Sequence, residues 1–478
     1  MSATGSRDLL RLAVPAWAIL AAAGVFLVFR DAGFDDPYIT YRYAANLADG
    51  LGFVYNPGER VLSTTAPLYA LALAPFAAAG LPLPLVSNLL GSLSLGAGAL
   101  ALWRLGQLGE QPVAGAVAAL LYPLAPALVV TLGAETTPFI ALVLWSFVAA
   151  WAGRPLVAAL VLACATLVRA DAALAAVLAG LLILARQGRR PALTFGAGAA
   201  LLIAPAALAA WWYFGTPLPV TLGAKRSQAF ISGSLSYAQG LGVRLWSITT
   251  GPLSWPLVAL APLGAAEAAL RRGPLALVAL WGFLHALAYS ALDVTAYFWY
   301  YGPALVGLLA AAALGAQLLY AWLARRGWPR IALALVTVMA LAVLVGQVGD
   351  LRALKARPDM RLGLYGAAGT WLRQNTARDA SVGALEVGVV GYYSRRPIVD
   401  FAGLVQPELG RVFREGGSYA DAALVALSRY RPDYLVNQEY VFPLVRANAA
   451  LQTSCVEVAS LPDPRYPEPL RIFRCTWP

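Results

Sequence analysis

Charge is scarce in this chain: only 12% of its 478 residues are Asp, Glu, Lys or Arg, where a soluble globular domain carries about 25%. A water-soluble fold of this length is thereby excluded. Histidine is scarcer still, a single His285 inside an apolar run, so no His-based triad or zinc cluster can be assembled. There is no Walker A loop and no dinucleotide glycine fingerprint, which removes the recognisable cradles for a nucleotide donor. Of the three cysteines, Cys164 lies in an apolar run and reads as a small buried hydrophobe. Cys455 and Cys475 fall in a polar C-terminal region, where an oxidising compartment permits a disulfide between them.

What is abundant is apolar sequence: 60% of the residues are hydrophobic and the mean hydropathy is +0.67. Runs able to cross roughly 30 Å of hydrocarbon recur from Leu12 to Val348. Twelve such segments are legible, near 12–29, 67–80, 84–103, 112–130, 137–152, 155–168, 172–185, 192–213, 252–270, 274–290, 296–323 and 330–348. Residues 1–30 read as a retained first helix, because no small-residue cleavage site precedes the polar loop that follows. The net charge of +11 does not point to nucleic acid. Twelve arginines, among them Arg104, Arg154, Arg189, Arg190, Arg325 and Arg326, fall in breaks that carry only three acids, Asp8, Glu110 and Glu267. That excess is a positive-inside signal.

The resulting topology puts the N-terminus in the cytoplasm and both the 30–66 loop and the C-terminal region outside, as expected of a multi-pass protein of the cytoplasmic membrane. Termini on opposite sides need an odd number of spans, so about eleven are expected, with the short 67–80 segment, interrupted by Pro75, re-entrant. The expected fold is an α-helical polytopic membrane domain, residues 1–349, followed by an extracytoplasmic α/β domain, residues 350–478. In the latter "LYGAAGTWLRQNT" and "YADAALVALSRY" read as helices, and "SVGALEVGVVGYYS", "RPIVDFAGL", "DYLVNQ", "CVEVASL" and "LRIFRC" as strands with turns. Glu386, Tyr392 and Asp400 are its candidates for facing an acceptor.

The polar groups concentrate in the outward breaks. "DDPYITYRYAANLADG" reads as a short amphipathic helix on the membrane surface, with Asp36 as cap, Pro37 at its first position and Gly50 at its exit. That leaves Asp35 without a structural task. Tyr38, Tyr41, Tyr43 and Tyr55 serve either as an interfacial belt or as a platform for a sugar ring. "GAETTPF" adds Glu135, with its threonines as caps; "LVRADAAL" adds Arg169 and Asp171, which alone would be a local ion pair; "YFGTPLPVTLGAKRSQ" adds Lys225 and Arg226. Acids and bases gathered at one membrane depth mark a functional site. A lipid-linked phosphate fits them: Arg42, Arg169, Lys225 or Arg226 would hold the phosphate, and a nearby carboxylate would take the proton of an incoming hydroxyl.

With these residues in view, the chain resembles the C-type glycosyltransferase superfamily, polytopic enzymes that use polyprenyl-phosphate sugars at the outer membrane face. "DDPYITYRYAANLADGLGFVYNPGERV" is similar to the first outer loop of the group that includes the mycobacterial terminal β-1,2-arabinofuranosyltransferase; "GAETTPF", "LVRADA" and "FGTPLPVTLGAK" resemble later motifs less specifically. The likeness covers roughly the membrane half. It implies Asp35 as general base, Asp36 as its neighbour, a helix cap or metal ligand, Glu135 as a second acid organising the site and a further metal ligand, and Lys225 as a donor-phosphate contact. "STTAPLY" lacks the acid or histidine that lipid-A-modifying relatives carry before the proline, which disfavours a lipid A acceptor and leaves a divalent cation open.

The expected function is therefore inverting transfer of one sugar, arabinofuranose, mannose or another, from a polyprenyl-phosphate donor to a hydroxyl of an extracytoplasmic glycan, lipid or protein. A lipid-linked sugar flippase is the rival from another class, since many helices with intramembrane polar groups also describe transporters. A non-catalytic assembly partner is the third reading.

Overall fold

Proline opens helix after helix: Pro37, Pro67, Pro112, Pro155, Pro274 and Pro329 each hold the first position of one. The missing N–H costs nothing there, because the first-turn amides have no intrahelical acceptor, and the fixed φ suits the turn. The computed structural model describes residues 3–228, 233–271 and 273–478.

Each of the twelve apolar segments contains a helix. Among the described residues six helices are long and apolar enough to cross a membrane, and a seventh span arises if Tyr237–Thr250 and Trp255–Leu270, bent by 115°, count as one. Five more apolar helices have 10–17 residues, Pro67–Ala78 among them. At 1.5 Å per residue these are shorter than the hydrocarbon thickness. The long helix Arg189–Phe214 exposes Leu193, Leu201 and Leu208, an apolar face that hydrocarbon rather than water satisfies. Inside the bundle, Pro274–Leu292 and Gly302–Arg325 meet at Gly282 and Gly307, where a Cβ on either would strike the other backbone. Small residues permit that close approach.

The C-terminal region folds as a five-stranded sheet with helices. Its strands are β1 (Val382–Ala384), β2 (Ile398–Asp400), β3 (Tyr434–Asn437), β4 (Cys455–Leu461) and β5 (Leu470–Cys475), in the order β2-β1-β3-β5-β4. β1 runs parallel to β2 and β3, and β5 antiparallel to β3 and β4. The protein is thus an α-helical polytopic membrane fold bearing an α/β domain. One expectation fails: "VGVVGYYS" is not a strand but the helix Val387–Ser394. A disulfide joins Cys455 to Cys475, 20 residues apart, across the β4–β5 edge. Closing a loop of that size is worth about 3 kcal/mol. Replacing both cysteines by serine is expected to lower the stability of this domain by that amount, read by pulse proteolysis or hydrogen exchange.

The first-loop helix Pro37–Ala48 forms where expected, and it is enclosed by protein rather than exposed. Ten of its residues are buried, between the bundle and the C-terminal domain. Arg42 explains the seating. Its buried guanidinium donates to the carbonyls of Tyr55 at 3.0 Å, Arg396 at 2.9 Å and Gly391. A charge-assisted bond to a buried carbonyl is worth more than a neutral one. Arg42→Gln is therefore expected to cost about 3 kcal/mol and to expose the junction near residue 350 to limited proteolysis, with unchanged cleavage contradicting the assignment.

Candidate active site

Three acids stand immediately before helix starts: Asp36 before Pro37–Ala48, Glu135 before Thr136–Trp151 and Asp171 before Ala172–Gln187. None makes a side-chain capping bond, so the expectation of Asp36 as a cap is corrected. Helix N-termini favour negative charge, and all three carboxylates line one cavity of about 320 Å³, a volume typical of small-molecule sites. Lys225, Arg169, Tyr289, Trp299 and Tyr300 share its wall, and Leu404 of the C-terminal domain reaches it.

Arg169 is the hub. It lies in extended backbone between two helices, which lets its guanidinium turn back to Asp171 through Nε–Oδ1 at 3.1 Å and Nη2–Oδ2 at 2.9 Å, and to Glu135 at 3.4 Å. Tyr289 donates to Asp171 at 2.8 Å, and His285 Nε2 lies 3.2 Å from the same carboxylate. Burial opposes ionisation of Asp171, but Arg169 and His285 hold its carboxyl well below the usual range. Burial dominates at Glu135 and pushes its pKa up.

Lys225 sits on the short helix Thr221–Gln228, its Nζ 3.1 Å from Asp36 Oδ2 and 3.9 Å from the centre of the Tyr297 ring. Burial works against its ammonium, yet the Asp36 carboxylate and the facing Tyr297 and Tyr300 raise its pKa above the ordinary lysine value. Phe34 stacks on Trp299 with ring centres 5.0 Å apart, tying the first loop to the aromatic turn. The mouth is apolar: Leu218, Leu222 and Leu292 line the cavity while remaining 58%, 48% and 37% exposed.

Several expected site residues lie elsewhere. Asp35 is buried outside this lining, its two oxygens accepting the amides of Gly388 at 2.9 Å and Val389 at 2.8 Å. It caps the helix Val387–Ser394, which explains why that segment is not a strand. A Cβ on Gly388 would collide with Asp35. Burial, with Glu386 nearby, raises the Asp35 pKa against the pull of those amides. Tyr38 and Tyr41 are neither a belt nor a platform: both are buried, Tyr38 against the rings of Tyr41, Tyr392 and Tyr393, and Tyr41 donating to the Gly133 carbonyl. Tyr43 and Tyr55 are likewise buried. Arg42 is the clamp described above, and Arg226 is exposed beside Lys225 without lining the cavity. Glu386 pairs with Arg361 at 2.6 Å, Tyr392 packs on Tyr38, and Asp400 accepts backbone amides of Ala402, Leu404 and Val405; none of the three lines the cavity.

As candidate metal ligands, Asp36 and Glu135 are each engaged by a basic side chain. Among the described residues no three acids, histidines or cysteines stand together to hold a metal ion. This donor set does not fit a resident cation without breaking both pairs. The residues that sequence reasoning missed are His285, Tyr289 and the turn Tyr297–Tyr300, whose signal was the aromatic run "YFWYY" at the head of an apolar segment.

A domain of unknown function, DUF8728, matches residues 353–471. No curated protein matches the chain. Among solved structures it resembles the oligosaccharyltransferase AglB from Archaeoglobus fulgidus in complex with an inhibitory peptide and a dolichol-phosphate, at 12% identity and a TM-score of 0.60 over 92% of this chain and 73% of that one. ArnT from Cupriavidus metallidurans bound to undecaprenyl phosphate matches at 13% identity and a TM-score of 0.60, over 99% of this chain and 98% of that one. The apo state of ArnT matches at 14% and 0.56, covering 96% and 98%. At such identities the likeness is one of fold: the chain has the polytopic architecture of these membrane proteins from end to end.

Proposed function

We propose that this chain is a C-type membrane glycosyltransferase moving a sugar from a polyprenyl-phosphate donor to a hydroxyl of an extracytoplasmic cell-envelope acceptor. The observation that carries this reading is the amphipathic cavity. Its ionic floor suits a phosphodiester and a sugar, and its exposed leucine mouth suits a prenyl chain. That AglB and ArnT, which share the fold, were solved with dolichol-phosphate and undecaprenyl phosphate supports it.

In this mechanism the donor phosphate takes Lys225 away from Asp36. The freed carboxylate accepts the proton of the acceptor hydroxyl as its oxygen attacks the anomeric carbon. The bond from that carbon to the phosphate oxygen breaks, and its electron pair leaves with polyprenyl phosphate. Lys225 neutralises the growing charge, while Arg169, fixed by Asp171, orients Glu135 toward the sugar. Asp36 thus takes the role that the sequence assigned to Asp35. The other two carboxylates lining the cavity, Glu135 and Asp171, are both held by Arg169, which favours one inverting step over a covalent intermediate. The orientation with cavity and C-terminal domain outside, in the cytoplasmic membrane, follows the arginine bias of the opposite breaks.

The test is sugar transfer by the purified protein in lipid, offered arabinofuranosyl, mannosyl and other polyprenyl-phosphate sugars with mixed cell-envelope acceptors. Release of polyprenyl phosphate coupled to a glycosylated product is expected, and the consumed donor names the sugar. Movement of an intact lipid-linked sugar across the bilayer without product would replace this reading with the flippase.

A further inference from the structure

A second cavity, of about 500 Å³, shares no lining residue with the first. It lies among Pro126–Val129, Tyr237–Thr250, Trp255–Arg271, Gly302–Arg325 and Pro329–Ala356. Leu257, Leu305, Leu309 and Val343 supply apolar walls. Besides Ser247 and Ser254, the polar lining is chemically matched: Arg244 and Arg357 are cationic, Asp350 is anionic, and Gln347 is 8% exposed with its Oε1 lacking a hydrogen-bond partner. Among the described residues Arg244, Asp350 and Arg357 form no ion pair. Arg244 instead lies 4.7 Å over the Tyr301 ring. An arginine not paired with an acid in a largely apolar cavity is a ready phosphate site, and an orphaned buried acceptor calls for a donor.

The position in the bundle says where such a ligand comes from. Tyr237–Thr250 is bent by 115° from the helix that follows, so it lies across the bundle, and it leaves Val243 60% and Trp246 71% exposed. A crosswise helix with an outward apolar face and a tryptophan belongs at the level of lipid headgroups. We propose that this cavity binds a bilayer phospholipid whose headgroup carries an N–H donor, with its phosphate between Arg244 and Arg357, its ammonium toward Asp350 and Gln347 Oε1, and its acyl chains along the leucine walls. The charge set is that of phosphatidylethanolamine: one anion for two guanidiniums, one N–H cation for a carboxylate and an amide oxygen. A quaternary choline cannot donate to Gln347. The site is independent of the chemistry proposed for the first cavity.

The experiment is native mass spectrometry of the full chain in detergent, titrated with dioleoyl phosphatidylethanolamine, dioleoyl phosphatidylcholine or inorganic phosphate. One ethanolamine lipid is expected to be retained, several-fold more tightly than the choline lipid. The double variant Arg244→Gln/Arg357→Gln, which changes one half-buried and one exposed side chain, is expected to bind it roughly tenfold or more weakly. Gln347→Leu is expected to keep lipid binding but to erase the preference for ethanolamine over choline. Equal lipid retention by wild type and double variant would overturn the site. Inorganic phosphate bound as tightly as the lipid would show a soluble-anion site and overturn the lipid assignment.

Discussion

Asp36→Asn is expected to lower sugar transfer by about 10²–10⁴-fold per folded molecule, whereas Asp35→Asn is expected to leave turnover within about tenfold of wild type and to act on folding. Sequence places the two carboxylates side by side, but the structure gives them opposite surroundings. Asp36 opens onto the cavity and pairs with Lys225 at 3.1 Å; Asp35 is buried against two amides of the C-terminal domain. Asparagine at 35 retains one acceptor oxygen and loses the charge that favours a helix N-terminus, a loss of about 1–3 kcal/mol. Asparagine at 36 still accepts from Lys225 but cannot take a proton. Transfer rates normalised to the folded fraction, with thermal unfolding measured alongside, separate the two effects. A ranking in which Asp35→Asn abolishes turnover in folded protein would restore Asp35 as the base.

Lys225→Gln is expected to weaken binding of polyprenyl phosphate by about 10- to 150-fold, the worth of a charge-assisted bond of about 1.5–3 kcal/mol. The turnover rate should fall as well, because the leaving phosphate gains charge as the sugar departs. Lys225→Arg should recover part of the affinity. Arg226→Gln is the control: one residue along the same short helix, it is exposed and does not line the cavity, so its affinity should stay near that of wild type. Calorimetric titration with undecaprenyl phosphate reads both. Equal losses at 225 and 226 would mean that a diffuse positive surface, rather than a seated ammonium, holds the phosphate.

The bundle was legible in the sequence because apolar length and proline position are local signals, and each of the twelve apolar segments holds a helix. The C-terminal strands were legible for the same reason, with one failure that is instructive. Glycine and valine in "VGVVGYYS" suggest a strand with turns, whereas the segment is a helix whose second and third amides, Gly388 and Val389, donate to Asp35, more than 350 positions earlier. Partners so distant leave no trace in spacing. Arg42 follows the same rule, because its acceptors at 391 and 396 lie in the C-terminal domain. Outer-break acids and bases can be gathered by depth alone, and four of them, Asp36, Glu135, Arg169 and Lys225, line one cavity. Depth does not say which way a side chain turns, so the buried tyrosines read as surface groups. The crosswise helix Tyr237–Thr250 falls between the apolar segments of the sequence, and the aromatic turn at 297–300 merges with a span there because its apolar content outweighs its polar tips.

The central claim is a single displacement at the anomeric carbon, with Asp36 as base and polyprenyl phosphate as leaving group. The most direct measurement is the anomeric configuration of the product formed from a donor of known configuration, read from the C1–H1 coupling by NMR. The account predicts inversion. Retention would require two displacements or attack on the same face as the departing phosphate, and would contradict the single in-line displacement in which Asp36 is the base.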